Sequence, residues 1–302
     1  MTDPALIRTV YPGDLGYPSL LEPLDDRPAK LSFRGSGIQP NERCIAVVGT
    51  RRMTAYGKSA TKSFVRDLVL AGFTIVSGLA TGVDGQAHQT ALDFDGKTVA
   101  VMPSGLDVIT PIEHTNLATT IIRAGGAIYS EYEPQQQAAK FHFHVRNRII
   151  AGISMGVLVI EAGERSGTAI TVGHAGRYGR SVFAVPGPWT NPYSEGTKAM
   201  VNMGAKLVTN IQDILEDLNL SLSPVDNTIN NSNSTGNVRQ SALLFETSDE
   251  EKIYRTLEDN GASSLNAVLR NTHLSLQAAQ VTLTTLELRG LIEQKFGEYM
   301  VA

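Results

Sequence analysis

Residues 44–59, CIAVVGTRRMTAYGKS, run from five apolar residues through a glycine turn into a segment of helical character. A strand that leads through glycine into a helix leaves unpaired N–H groups and the positive end of the helix dipole facing outward, which favours anion binding. An ATP-binding P-loop would need glycine where this stretch holds Arg52. The stretch therefore predicts a strand, a turn and a helix that bind phosphate, and it disfavours an ATP-hydrolysing loop.

The same alternation of short apolar runs and helix-length segments continues along the chain. The further runs are FTIVS, TVAVM, AIYS, GVLVI, SVFAV and KLV, between residues 73 and 208. Strands of this length alternating with helices predict an α/β fold with a doubly wound parallel sheet. Ligands of such sheets bind at the carboxyl ends of the strands, where the glycine turns lie.

Changes in composition divide the chain into four parts. Residues 1–40 carry several prolines and turn signals, which predict a lead-in that packs on a main domain at 41–218. Residues 219–243 are rich in Asn, Ser and Thr, as in a flexible linker. Residues 244–302 hold three helical segments and a closing pair of strand-like runs, which predict a small winged-helix domain.

Charge is unevenly distributed although the net charge is only −4. Residues 41–215 hold 16 Lys and Arg against 13 Asp and Glu, whereas 216–302 hold 6 against 12. A polyanion is therefore expected to meet the main domain. Cys44 is the only cysteine, which argues against disulfides and thiolate metal clusters. Neither a leader peptide nor a long apolar run is evident, so we expect a cytoplasmic protein that does not enter membranes.

Two more strand–glycine–helix turns and one basic segment complete the candidate site. Residues 140–152, KFHFHVRNRIIAG, bring cations and aromatic rings to the start of a helix. Phosphate-binding groups beside aromatic rings suit single-stranded nucleic acid, whose bases stack on rings. The candidate phosphate- and DNA-binding residues are Gly49, Thr50, Arg51, Gly78, Gly82, Lys140, Phe143, Arg146, Asn147, Arg148, Ser166, Gly167 and Thr168.

Two enzyme classes with related folds fit the sequence less well. A nicotinamide-binding domain would carry a carboxylate at the end of its second strand, where this chain has Ser77 and Gly78. Phosphoribohydrolases that act on nucleoside monophosphates carry Gly-Gly-x-Gly-Thr-x-x-Glu, and Thr171 stands at the glutamate position. Threonine cannot act as a carboxylate base. We therefore predict no catalytic residue and no cofactor, with a phosphoribohydrolase-like enzyme as the alternative.

Other reactive side chains have ordinary structural interpretations beside the functional ones. Asp84 and His88 are four residues apart on a helix, which suits a proton-transfer pair or a structural hydrogen bond. His142 and His144 alternate as on a strand, but without a third ligand we assign no metal.

Three glutamates follow strands at the expected ligand edge, where they would repel phosphate. We expect these residues to orient arginines or to organise loops; they are Glu131, Glu133 and Glu161.

Several stretches together resemble the DNA-processing protein A (Smf) family. They include GTRRMTAYG, SGLATGVDGQAH, FHFHVRNRIIAGIS, VIEAGERSGTAIT and FAVPG, in consistent order over about residues 10–215. The resemblance implies an extended Rossmann domain that binds single-stranded DNA, helps to load a RecA-type recombinase in natural transformation, and forms a homodimer. It places Arg51, Lys140, Phe143 and the run from Arg146 to Arg148 where family members grip DNA. Because the C-terminal part is acidic, we expect it to contact protein and not duplex DNA.

Overall fold

A nine-stranded sheet forms the centre of the larger of two compact units, which comprise residues 1–226 and 227–302. The computed structural model describes residues 6–14, 16–164, 166–220, 248–260, 263–272, 274–289, 291–295 and 298–301. The strands of the large sheet are β1 (Arg8–Val10), β2 (Leu31–Gly35), β3 (Cys44–Val48), β4 (Thr74–Ser77), β5 (Thr98–Val101), β6 (Ala127–Ser130), β7 (Gly156–Val159), β8 (Ser181–Ala184) and β9 (Lys206–Leu207). Their order is β1-β2-β6-β5-β4-β3-β7-β8-β9, and the seven from β3 to β9 are mutually parallel.

Helices cover both faces of this sheet, which confirms the predicted α/β class. They are α1 (Ala55–Leu70), α2 (Val83–Asp93), α3 (Thr115–Arg123), α4 (Lys140–Gly152), α5 (Thr168–Arg177), α6 (Glu195–Asn202) and α7 (Ile211–Asp217). Alternate residues of β3 enter different cores: Ile45 packs with Leu68 of α1, and Ala46 packs with Ile149 of α4. Since successive strand residues point to opposite faces, the uniformly apolar CIAVV run is buried on both sides.

The strand order places a topological switch point between β3 and β7. From β3 the chain builds outward through β4 and β5 to β6, and then returns to lay β7 against the other side of β3. The two strands are in parallel register, with Val48 opposite Val159. Connections leave these neighbouring strands in opposite directions, which opens a crevice at their carboxyl ends.

The N-terminal lead-in is part of the sheet. β1 pairs with β2, and β2 pairs with β6, both antiparallel. Tyr17, Leu21 and Leu24 are buried in the same core as Ile149. The lead-in predicted at 1–40 therefore supplies the edge strand β1 and its neighbour β2, which its proline-rich sequence did not reveal.

The second unit is a small helical domain with a three-stranded sheet. Its elements are α8 (Ser248–Asn260), β10 (Ser263–Ser264), α9 (Leu265–Thr272), α10 (Leu276–Leu288), β11 (Ile292–Lys295) and β12 (Glu298–Val301). The sheet order is β10-β12-β11. Most of the linker predicted at 219–243 lies outside the described residues, as do Phe296 and Gly297 of the closing pair of strands.

Cys44 is fully buried in β3, and burial raises the pKa of its thiol to about 12. The thiol is therefore protonated and inert at neutral pH, as predicted. Among the helices that the structure describes, none has the length and apolar character needed to cross a bilayer.

Candidate functional site

A cleft of about 370 Å³ opens at the switch point between β3 and β7. Its walls come from the turn after β3, the N-terminal half of α4 and the segment that leads into α5. Nine predicted site residues line it: Gly49, Thr50, Arg51, Phe143, Arg146, Asn147, Ser166, Gly167 and Thr168. The fold therefore brings together, at this cleft, segments that are far apart in the chain.

Arg51 and Phe143 form the most distinctive contact of the cleft. The guanidinium carbon of Arg51 lies 5.0 Å from the centroid of the Phe143 ring, within the range of a cation–π interaction. Arg51 is exposed, so its charge remains accessible to a ligand. The pair places a cation and a flat apolar surface side by side.

At the N-terminus of α1, by contrast, a carboxylate of the protein itself lies where the first turn suggested an external anion. The buried carboxylate of Glu161 accepts hydrogen bonds from the backbone N–H of Thr54 at 2.9 Å, from the Thr54 hydroxyl at 2.6 Å and from the Asn191 amide at 2.9 Å. A Cβ on Gly57 would lie 2.1 Å from the same carboxylate, so this position requires glycine. A protein side chain thus occupies the anion position, and Glu161 organises the loop as predicted.

The remaining N–H groups of the first turn are largely used inside the protein. The backbone N–H of Thr50 donates to the carbonyl of Glu161 at 2.7 Å, and the N–H of Arg52 donates to the Thr50 hydroxyl at 3.1 Å. Attraction of phosphate at this turn therefore depends on the side chain of Arg51.

Arg146 lines the cleft and is buried, with its guanidinium bonded inside the protein, and its assignment as a phosphate-binding residue stays a prediction. Only 4% of it is exposed, and its Nη1 donates to the carbonyls of Gly78, at 2.7 Å, and Val101. Burial lowers the pKa of its guanidinium to about 10, an effect that the nearby Asp84 carboxylate partly offsets. Arg146 therefore ties α4 to the ends of β4 and β5, and a Cβ on Gly78 would lie 2.6 Å from it.

Arg148 is not among the residues that line the cleft, and its assignment as a DNA-binding residue stays a prediction. Its guanidinium is bonded to Glu131, and both side chains are about 15% exposed. Glu131 therefore orients an arginine, as expected, and Glu133 is paired with Lys30. The sequence shows that Arg148 carries a charge, but it does not show that Glu131 pairs with that charge.

Besides Arg148, the predicted residues that do not line the cleft are Gly78, Gly82 and Lys140. Lys140 is exposed at the first residue of α4. Gly82 has a positive φ of 80°, and a Cβ there would lie 2.3 Å from the Thr50 carbonyl oxygen. Its glycine is needed because the turn after β4 rests directly on the turn after β3.

The N-terminus of α5 opens into the cleft. The Thr168 N–H and hydroxyl both bond to the Ser166 hydroxyl, at 3.2 and 3.0 Å. A Cβ on Gly167 would meet nothing within 4 Å, so the protein's own packing does not demand glycine there. One turn later Thr171 also lines the cleft, at the position where the rival hydrolases carry glutamate. The cleft therefore lacks that catalytic carboxylate.

His142 and His144 lie on α4 and not on a strand, because the helix begins at Lys140. Residues two apart on a helix point in different directions, and His142 is buried while His144 is exposed. Among the residues described, no group of three or more His, Cys, Asp or Glu could hold a metal ion.

Asp84 and His88 have separate structural partners. Asp84 accepts from the N–H of Gly78 at 3.1 Å, and burial raises its pKa while Arg146 opposes that rise. His88 Nδ1 lies 2.7 Å from the Thr98 hydroxyl. That hydroxyl donates its hydrogen to the carbonyl of Ile75, so Nδ1 must carry the proton.

A proton added to His88 would be buried without a partner. Its Nε2 has no hydrogen-bond partner among the described residues, and burial lowers the pKa of His88 to about 3. The unfolded chain binds this proton near pH 6.5, so the stability contributed by neutral His88 is complete above that pH and is lost as pH falls.

We expect the free energy of unfolding to fall by about 2 kcal/mol between pH 7 and pH 5 because of His88. Urea titrations followed by circular dichroism at the two pH values measure the loss. The variant His88→Gln should lack this component, and His144→Gln, at an exposed position, should retain it. An equal pH dependence in wild type and His88→Gln would show that His88 titrates normally in the fold.

A doubly wound sheet with an arginine-bearing polar cleft at its switch point defines a Rossmann-like protein. The family model of the DNA recombination-mediator protein A matches residues 8–219, and the chain belongs to this family.

Individual relatives agree with this assignment. Protein Smf of Escherichia coli (strain K12) is 40% identical over 229 residues, which cover 76% of this chain and 61% of that protein. DNA processing protein DprA of Bacillus subtilis (strain 168) is 38% identical over 213 residues, covering 70% of this chain and 71% of the relative. The matched region therefore spans less than two thirds of the E. coli relative.

Two solved structures are similar in fold and sequence. DNA processing protein A from Streptococcus pneumoniae superimposes with a TM-score of 0.64 at 38% identity, covering 70% of this chain and 75% of that one. The Helicobacter pylori protein gives a TM-score of 0.61 at 31% identity, covering 70% and 95%, and its structure is described as revealing a unique single-stranded DNA binding mode.

Proposed function

We propose that the chain binds single-stranded DNA in the switch-point cleft, protects incoming DNA and helps to load a RecA-type recombinase in natural transformation. The observation that carries the proposal is the contact between Arg51 and Phe143 at the cleft. A nucleotide presents a phosphate and a flat base, and this pair presents a cation and a ring face to match them. Family membership and the DNA-binding mode described for the H. pylori relative support the same ligand.

A second phosphate is expected at the N-terminus of α5. The ten-residue helix points its positive end toward Ser166, Gly167 and Thr168, all of which line the cleft. These contacts read the backbone and the faces of bases, so sequence preference should be weak.

No covalent step is part of the proposal. Thr171 stands in the cleft where a phosphoribohydrolase would need a carboxylate, and Asp84 is bonded to the backbone of Gly78. The cleft is suited to holding a polyanion, and we propose that binding alone is its task.

The proposal extends to partners and location. We propose a cytoplasmic homodimer that presents the bound strand to the recombinase, and a winged-helix role for residues 244–302. α10 contains one carboxylate, Glu287, and no Lys or Arg, and Val281 is 63% exposed on the same helix. In a winged-helix domain, α10 would be the helix that enters a DNA groove. Because it has few cations to contact phosphate, a protein partner is favoured for this domain.

Replacing Gly167 with alanine is expected to lower single-strand affinity about tenfold, because the methyl group occupies the space through which phosphate reaches the helix N-terminus. The fold should be unaffected, since φ is −58° and the added Cβ meets no protein atom within 4 Å. Gly176→Ala, an equally unobstructed position on α5, is the matched control and should bind like wild type. Wild-type affinity in Gly167→Ala would place the phosphate elsewhere.

Fluorescence anisotropy with single- and double-stranded oligonucleotides, run beside a nucleoside-monophosphate hydrolysis assay, tests the function itself. We expect strand-selective binding without release of base. Release of base from a nucleotide would favour the hydrolase alternative, and equal affinity for duplex would contradict single-strand recognition.

A further inference from the structure

A shallow groove of about 450 Å³ lies beside the turn that carries Arg51. It runs between α2 and the start of α3, and its lining includes three uncharged amide side chains. We call it the amide groove, defined by Gln86, Gln89, Glu113, His114 and Asn116. No step of the proposed function described above uses it.

The amide groove and the switch-point cleft lie on either side of one short segment of chain. Thr50 and Arg51 line the cleft, and Met53 lines the groove. The N–H of Val83 at the start of α2 donates to the Thr50 carbonyl at 3.2 Å, which holds the segment against the helix. Residues 50 and 53 are at most about 10 Å apart along the chain, roughly the length of three stacked nucleotides.

The charge of the amide groove suits bases and not phosphates. Its one charged side chain, among the described residues that line it, is the exposed Glu113. A phosphate there would meet like charge without a cation to balance it. A strand that leaves Arg51 in this direction would therefore turn its bases into the groove.

Hydrogen-bond acceptors outnumber donors in the amide groove. Gln89 Nε2 donates to the Asp93 carboxylate at 2.8 Å, and Gln86 Nε2 donates to the Thr90 hydroxyl at 2.9 Å. One N–H of each amide is thus used on its own helix, while no residue that the structure describes donates a hydrogen bond to either amide oxygen. Glu113 contributes a carboxylate, which accepts only.

His114 adds a further acceptor. Its Nδ1 lies 2.7 Å from the carbonyl oxygen of Leu79, which cannot donate, so Nδ1 carries the proton. In the neutral ring Nε2 is then an acceptor.

We infer that the amide groove receives a base of the bound strand and favours bases with an exocyclic amine, cytosine and adenine, over thymine. Those amines donate to the groove's surplus acceptors, whereas thymine presents carbonyl oxygens at the corresponding position. This inference rests on the proposed single-strand binding and adds a modest base preference to it.

Competition anisotropy with oligo(dC), oligo(dA) and oligo(dT) of equal length at neutral pH tests the inference. Wild type should bind oligo(dC) and oligo(dA) about fivefold tighter than oligo(dT). The double variant Gln86→Leu/Gln89→Leu should lower these ratios toward one, because it removes two of the oxygen acceptors. Leucine is a good helix former, so α2 should persist.

Two further variants make the result specific. Gln212→Leu removes a glutamine on α7 that donates to Glu216 in the same i to i+4 arrangement, and it should keep the wild-type ratios. Glu113→Gln, at an exposed position, replaces an acceptor-only group and should reduce them. Base-independent binding by wild type, or unchanged ratios in both groove variants, would overturn the inference and leave the proposed function standing. Failure to bind any homopolymer would overturn both.

Discussion

Arg51→Ala is expected to weaken single-strand binding by about 1.5–3 kcal/mol, equally for unrelated sequences. Arg51 is the exposed cation of the cleft, and the neighbouring backbone N–H groups of Thr50 and Arg52 are already bonded within the protein. Because one phosphate contact is lost, the slope of log affinity against log salt should become shallower by about 0.7. Anisotropy titrations over a range of salt concentrations measure both quantities.

Two variants separate charge from stacking and from stability. Phe143→Ala should cost about 1–3 kcal/mol of binding with little change in salt slope, because a base loses its platform but no charge is removed. Arg148→Ala should keep the wild-type slope, since Arg148 is paired with Glu131 outside the cleft. A shallower slope for Arg148→Ala together with an unchanged slope for Arg51→Ala would reverse the assignment.

Glu161→Ala is expected to lower the free energy of unfolding by about 3 kcal/mol. The substitution removes the acceptor of three hydrogen bonds and leaves the Thr54 N–H at the start of α1 without its partner. Urea unfolding followed by circular dichroism measures the loss. The exposed Glu164, in the same loop, is the control, and Glu164→Ala should change stability by about 0.5 kcal/mol or less.

A double-mutant cycle with Gly57 tests the packing on which this prediction depends. A Cβ at residue 57 collides with the Glu161 carboxylate in the wild type, whereas once that side chain is removed its nearest neighbour is Met53 Cγ at 3.0 Å, on a flexible side chain. Gly57→Ala should therefore be costly alone and much less costly in the Glu161→Ala background. Additive effects would show that the carboxylate does not lie against residue 57.

The sheet could be predicted because its central strands are buried on both faces. CIAVV and GVLVI lie in β3 and β7 at the centre of the sheet, where nearly every residue must be apolar. The edge strand β1 escaped prediction because edge positions tolerate polar residues. Its neighbour β2 escaped because LSFRG includes polar residues and prolines precede it.

The candidate site could be predicted in location but only partly in mechanism. Glycine turns revealed which strand ends converge, since glycine permits close approach of backbone segments. The roles of Arg146 and Arg148 could not be read from the chain, because each role depends on a partner distant in sequence: the Gly78 carbonyl for one and Glu131 for the other. For the same reason the sequence could not show that Glu161 fills the N-terminus of α1.

Photocrosslinking of a single strand that carries a halogenated uracil, followed by mass spectrometry of the digested complex, most directly tests whether the switch-point cleft holds the DNA. We predict crosslinked peptides from α4 that contain Phe143, and their loss in Phe143→Ala. Crosslinks confined to residues 248–301, with the α4 peptide unmodified, would contradict DNA binding in the cleft.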